Sequence, residues 1–225
     1  MKPLMSRTED SGTLQDLGRA SIQIVHDLKN QLNGLKLYAT FLRKRLEKSE
    51  RPEDEQETVS KLISGLDRAA NDLSTIVQYG REVELKTQPG FDVQKMMRSI
   101  CAGLNEGGSE VVCVAGTESL PGDFDPSKLT DALKWITVVA LKLRPIDEGA
   151  GAVTVAVKLD NSEERSAIIE WSGLARLDHD PFRSFAGSDE IRMSLAAKVI
   201  EAHGGSAGYR NTSLVVTLPI SESHN

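Results

Sequence analysis

One histidine stands out by its neighbours. In Ile24-Val25-His26-Asp27-Leu28-Lys29-Asn30-Gln31-Leu32, His26 is followed directly by an acid and, four residues on, by an amide. An imidazole titrates near neutrality, so it can act as a nucleophile or carry a proton. As a nucleophile it needs one ring nitrogen open to solvent and the other held by an acceptor. On a helix, Arg19, Gln23, Lys29, Asn30 and Asn33 share the face of His26, which makes that face polar. A histidine so placed, taken alone, is an ordinary surface residue, and only the pattern around it gives it chemical weight. The other three histidines compete poorly. His179 lies in Asp178-His179-Asp180, which reads as a solvated acidic loop more than a metal site. His203 precedes Gly204 and helps to end a helix, and His224 is next to last in the chain.

The elements that must position His26 are two helices. Leu14, Leu17, Ile24, Leu28, Leu35 and Leu42 form a stripe at steps of three, four and seven, with Val25, Leu32, Ala39 and Leu46 beside it. That period is the seam of a bundle or coiled-coil helix. Asp10, Ser11 or Thr13 caps its start, and the helix runs to about Lys48. Pro52 then forces a turn. A second helical pattern carries Val59, Leu62, Ile63, Leu66, Leu73, Ile76 and Val77 and ends near Val83, before the stop at Pro89-Gly90. A two-helix hairpin cannot bury so wide an apolar stripe by itself. Pairing two hairpins into a four-helix bundle does so, which implies a homodimer.

Beyond Gly90 the pattern changes. Helices are predicted over Phe91–Leu104, Asp125–Leu143 and Ile191–Ala202, the last stopped by Gly204-Gly205. Strands are predicted over Val111–Val114, Val153–Leu159, Ala167–Trp171 and Leu214–Leu218. This order predicts an α+β fold, a mixed sheet covered by helices. The domains expected are a flexible tail over 1–12, a helical hairpin over 13–86 and a sheet-containing domain over 90–221.

Composition narrows the function. Aromatic residues are 4% of the chain, so the core must be built mainly of Leu, Ile, Val and Ala. A net charge of −6 and a pI near 5.3 argue against a nucleic-acid binder. No apolar run approaches the ~18 residues of a membrane span. Residues 1–12 lack the apolar core of a signal peptide. Cys101 and Cys113 have no metal-ligand spacing. A reduced, cytoplasmic setting is the simple reading, with a disulfide left open.

The hairpin, the α+β domain and His26-Asp27-Leu28-Lys29-Asn30 together resemble bacterial sensor histidine kinases, over roughly residues 14–220. In that family a dimerisation and phosphotransfer hairpin precedes an ATP-binding domain. The segment Asp125–Pro145 looks like the family's N-box helix. Ala197–Gly205, with the Leu214–Pro219 strand, looks like the region after the ATP lid. The resemblance implies that His26 is the phosphoacceptor and Asp27 its acceptor or general base. Lys29 can help to neutralise the transferring phosphoryl group. Asp27-Leu28-Lys29-Asn30 also fits the acid-x-x-amide motif with which such kinases dephosphorylate their receivers, and a plain solvated helix residue is the competing reading of Asn30.

Departures from the family are concentrated at the nucleotide site. Gln31 replaces a frequent proline. Trp135 and Val139 stand where asparagines normally hold Mg²⁺ and phosphate, and neither offers the oxygen ligand Mg²⁺ requires. Trp171 or Glu170, depending on register, takes the place of the adenine-recognising Asp. Glu190 and Arg192 replace glycines that let backbone approach phosphate. The expectation is therefore a histidine phosphotransferase that resembles a degenerate kinase. It relays phosphate between a kinase or receiver aspartate and a response regulator through His26. No cofactor or metal is expected on the chain itself, with Mg²⁺ supplied by the partner receiver. The expected partners are a second copy, receiver domains and an upstream histidine kinase, with neither nucleic acid nor membrane. The rival readings are a divergent ATP-dependent kinase, and a pseudokinase module or phosphatase controlling a response regulator.

Overall fold

The structure, a computed structural model, describes Val25 and residues 28–44, 53–116, 118–145, 151–161, 165–185 and 187–221. The chain divides into two compact units, Met1–Glu82 and Val83–Asn225. The predicted caps at Asp10, Ser11 and Thr13 and the expected helix end near Lys48 lie outside the described residues.

In the first unit, α1 covers residues 28–44 and α2 covers Glu53–Gly80. The second helix starts earlier and stops sooner than its apolar pattern predicts, ending at Gly80. Its apolar residues Ile63 and Val77 are buried, as is Ala39 of α1. An ion pair between Lys36 and Asp67 joins the two helices. The stripes of α1 separate by exposure. Leu32 is half-buried and Ala39 buried, whereas Leu28, Leu35 and Leu42 are 47%, 54% and 53% exposed. One stripe faces inward and the seven-residue seam is left open.

The second unit is a two-layer α+β sandwich. Its strands are β1 Gln88–Asp92, β2 Val111–Ala115, β3 Pro121–Phe124, β4 Val153–Asp160, β5 Ser166–Ser172, β6 Ser206–Arg210 and β7 Ser213–Pro219. Five of them form a sheet in the order β2-β4-β5-β7-β6, with β2 parallel to β4 and the other neighbours antiparallel. Alternation decides which face is covered. Val153, Val155 and Val157 of β4, Ala167, Ile169 and Trp171 of β5, and Leu214, Val216 and Leu218 of β7 are buried in one core. The helices α3 Val93–Glu106, α4 Pro126–Lys142 and α5 Ser188–Ala202 close that core.

Three strands escape the sequence patterns. The predicted helix start at Phe91 moves to Val93 because Asp92 caps it, accepting the N–H groups of Gln94 and Lys95. The residues before the cap form β1, which pairs with β3 across an irregularity between Gln88 and Phe91. Gly90 makes this possible with φ 68°. Pro89, Pro121, Gly122 and Gly208 mask β1, β3 and β6, since these residues weaken a strand pattern. The predicted stop at Gly204-Gly205 is built from geometry: Gly204 has φ 78°, and a Cβ on Gly205 would collide with Thr217 O. Among the described residues no helix is long and apolar enough to cross a membrane.

Candidate functional site

The proposed phosphotransfer motif lies at the edge of the described region. His26 and Asp27 fall outside it. Val25 is helical, and α1 follows from residue 28. Lys29 is half-buried and Asn30 exposed, one turn before the Leu32–Ala39 stripe that turns inward. Leu37, Tyr38 and Phe41 add three further exposed apolar side chains along the same helix.

In the second unit Trp135, Trp171 and Arg192 lie where α4, β5 and α5 meet. Asp125 caps α4 through the Lys128 N–H at 3.1 Å, and Pro126 occupies the first turn, where a missing N–H costs nothing. The Asp125 carboxyl lies below the usual range, held there first by the Lys86 N–H and next by the Lys128 N–H. His203, at the end of α5, holds this start in place: it is buried, its Nδ1–H donates to Val199 O at 2.8 Å, and its Nε2 accepts the Asp125 N–H at 3.0 Å. His203 thus does more than end its own helix, as the sequence predicts. It ties the end of α5 to the start of α4.

On α4, Val139 is buried in the core and Trp135 packs at its margin. The Trp135 ring carries the Arg192 guanidinium at 4.2 Å and the Lys142 ammonium at 5.7 Å, both within cation–π range. Its Nε1 is buried without a hydrogen-bond partner. Lys142 reaches from α4 to α5 and donates to both carboxylate oxygens of Asp189, at 2.8 and 2.7 Å. Glu190, in the first turn of α5, accepts from the Ser184 hydroxyl and bonds His179 Nε2 at 2.7 Å. His179 is therefore tied by its imidazole to the α5 N-terminus.

Strand pairing resolves which β5 residue faces this region. Trp171 is fully buried and donates Nε1–H to Thr137 Oγ1 at 2.9 Å, while Thr137 donates to Leu133 O at 2.8 Å. Glu170 points to the opposite, uncovered face, where Lys158 approaches at 3.5 Å. Sequence reasoning leaves Thr137, Lys142 and Asp189 unnoticed. Thr137 and Trp171 are 34 residues apart, and Lys142 and Asp189 are 47 apart, so no local pattern flags either pair. The segment after β5 is also held. Ala175 N–H donates to Leu143 O at 2.8 Å, Leu177 N–H donates to the Tyr209 hydroxyl at 3.0 Å, and Phe182 is buried in the core. No cluster of three or more potential metal ligands occurs among the described residues.

No protein-family model matches the sequence, and no curated protein matches it. Solved structures do. Full-length ShkA in complex with AMPPNP superposes with a TM-score of 0.65 at 16% identity, over 88% of this chain and 45% of that one. The Acinetobacter baumannii histidine kinase AdeS gives 0.54 at 18%, over 82% of this chain and 95% of that one. The histidine kinase ThkA, in complex with the response regulator TrrA, gives 0.58 at 16%, over 96% and 65%. This chain thus spans less than half of ShkA and under two thirds of ThkA. At these identities the likeness is one of fold, and the chain has the fold of the histidine kinases.

Proposed function

We propose that the chain is a dimeric histidine phosphotransferase of two-component signalling, relaying a phosphoryl group through His26 without using ATP. The observation that carries this reading is the chemistry of the side chains at nucleotide-site positions. Val139 is buried and has no oxygen to offer, and the Trp135 ring is covered by Arg192. Trp171 uses its one donor on Thr137. Glu190 brings negative charge where phosphate would need backbone N–H groups. These residues do not fit a magnesium nucleotide.

In the proposed transfer, one ring nitrogen of His26 attacks the phosphorus of a receiver's aspartyl phosphate. The bond from phosphorus to the aspartyl oxygen breaks and the receiver carboxylate leaves. Asp27 holds the opposite ring N–H and so fixes the tautomer. Lys29, half-buried beside the motif, offsets charge on the transferring group. Mg²⁺ brought by the receiver supplies further neutralisation when bound. The reaction reverses onto the next receiver, and ThkA, whose structure holds a response regulator, supports a receiver as partner. The open Leu28–Leu35–Leu42 seam supports a second copy as the other half of the bundle.

A phosphorylated receiver incubated with the purified chain tests this. Acid-labile label on the wild-type chain and none on His26→Gln is the expected result. Relay that persists in His26→Gln contradicts the assignment. The exposure of Asn30 favours a second activity of the same motif, dephosphorylation of the receiver with the amide orienting water. Asn30→Ala is then expected to keep relay and lose receiver dephosphorylation, which timed decay of labelled receiver measures.

A further inference from the structure

Two thiols in the second unit, remote in role from His26, face one another across a helix and a strand. Asn105, in the last turn of α3, clamps the start of β2. Its Nδ2–H donates to Val111 O at 2.9 Å, and its Oδ1 accepts the Val111 N–H at 2.9 Å. The chain reverses between these residues. Four residues back along α3, on the face of Asn105, stands Cys101; two residues on along β2, on the face of Val111, stands Cys113. The helix covers about 6 Å in that interval and the strand about 6.6 Å, so the two side chains come level.

Burial agrees with this register. Cys101 is 2% exposed and sits in the core, Cys113 packs against that core half-buried, and their strand neighbours Val112 and Val114 face out. Burial first, and the neighbouring Cys113 second, push the Cys101 thiol up to about 12, so it stays protonated. β2 is an edge strand bonded only to β4, which leaves Cys113 the accessible member of the pair.

We propose that Cys101 and Cys113 are a redox modification site that a hydroperoxide converts to a reversible intramolecular disulfide. The Cys113 thiol gives up its proton, its sulfur attacks one peroxide oxygen, the O–O bond breaks, and the departing alkoxide (hydroxide, from hydrogen peroxide) takes up that proton to leave as an alcohol or water. Cys113 is then a sulfenic acid. The Cys101 sulfur attacks the Cys113 sulfur, the S–O bond breaks, and the departing hydroxide takes the Cys101 proton as water. Two thiols lose two protons and two electrons in total, and one peroxide is reduced. The product staples α3 to the sheet edge, and a dithiol reductant reverses it.

The test treats the reduced full chain with a few equivalents of hydrogen peroxide, alkylates it in denaturant and maps peptides without reductant. The expected product is a single Cys101–Cys113 linked peptide from a chain about 2 Da lighter, restored by dithiothreitol. Cys101→Ala is expected to leave Cys113 as a sulfenic acid that dimedone captures, and Cys113→Ser to leave Cys101 unoxidised. Three outcomes overturn the proposal: a Cys113–Cys113 link between two chains, both wild-type thiols still alkylated after treatment, or Cys113 carried to the sulfinic acid with Cys101 unchanged. Mapping of the wild-type chain decides among them even where a variant does not fold.

Discussion

At the scale of single residues, Thr137 and Trp171 show how the second unit holds an indole in its core. The indole N–H is fully buried, and Thr137 is its partner. Thr137→Val keeps the shape and removes the acceptor, leaving the N–H unpaired. That variant is expected to lose about 1–3 kcal/mol of stability in urea unfolding while retaining relay through His26. A loss of relay with unchanged stability would instead give Thr137 a role in the chemistry. The sequence carries Trp171 and Glu170 side by side with no means of choosing between them. Strand faces are assigned by pairing, and the pairing of β5 with β4 and β7 turns Trp171 inward. The Lys142–Asp189 and Arg192–Trp135 contacts are equally invisible in the chain order, because folding alone brings α4 and α5 together.

At the scale of elements, caps carry the local instructions. Asp92 and Asp125 each precede a helix and bond its first N–H groups, and both carboxyls lie below the usual range. For Asp92, burial pushes upward, but the Ser119 hydroxyl and then the backbone N–H groups of Leu120, Lys95 and Gln94 outweigh it. A lowered folded pKa stabilises the fold fully above the ordinary value of 3.8, and that stability is lost as pH falls through the folded values. Asp92→Asn/Asp125→Asn is therefore expected to melt with a weaker dependence on pH below about 4 than the wild-type chain does. Scanning calorimetry from pH 6 to about 2.5 checks it, and parallel curves would remove these two groups from the acid response. Gly205 makes a different demand. The Gly205→Ala methyl would strike Thr217 O, and the substitution is expected to cost about 1–3 kcal/mol. The α4 cap, Asp125 followed by Pro126, and the α5 stop at Gly204-Gly205 are legible in the sequence because each is a local rule. The strands β1, β3 and β6 are not, because pairing partners rather than composition create them.

At the scale of the whole molecule, the two units pose separate questions. The first unit leaves Leu28, Leu35 and Leu42 open at a seven-residue repeat. A second copy covering this seam predicts a dimer in sedimentation equilibrium. Leu35→Asp/Leu42→Asp is expected to give monomers, since each charge would be buried without a partner. A wild-type monomer at micromolar concentration would contradict the bundle. In the second unit, the sheet, its three helices and their order match the fold class expected from alternation and helical period. The proposed function links the two units: His26 takes its phosphoryl group from a receiver, and ATP has no part in the transfer. Labelling from radioactive ATP and Mg²⁺ alone, beside labelling from a phosphorylated receiver, tests it most directly. Label on His26 is expected only in the presence of the receiver. Label on His26 from ATP alone, abolished in His26→Gln, would contradict it and make the chain a kinase.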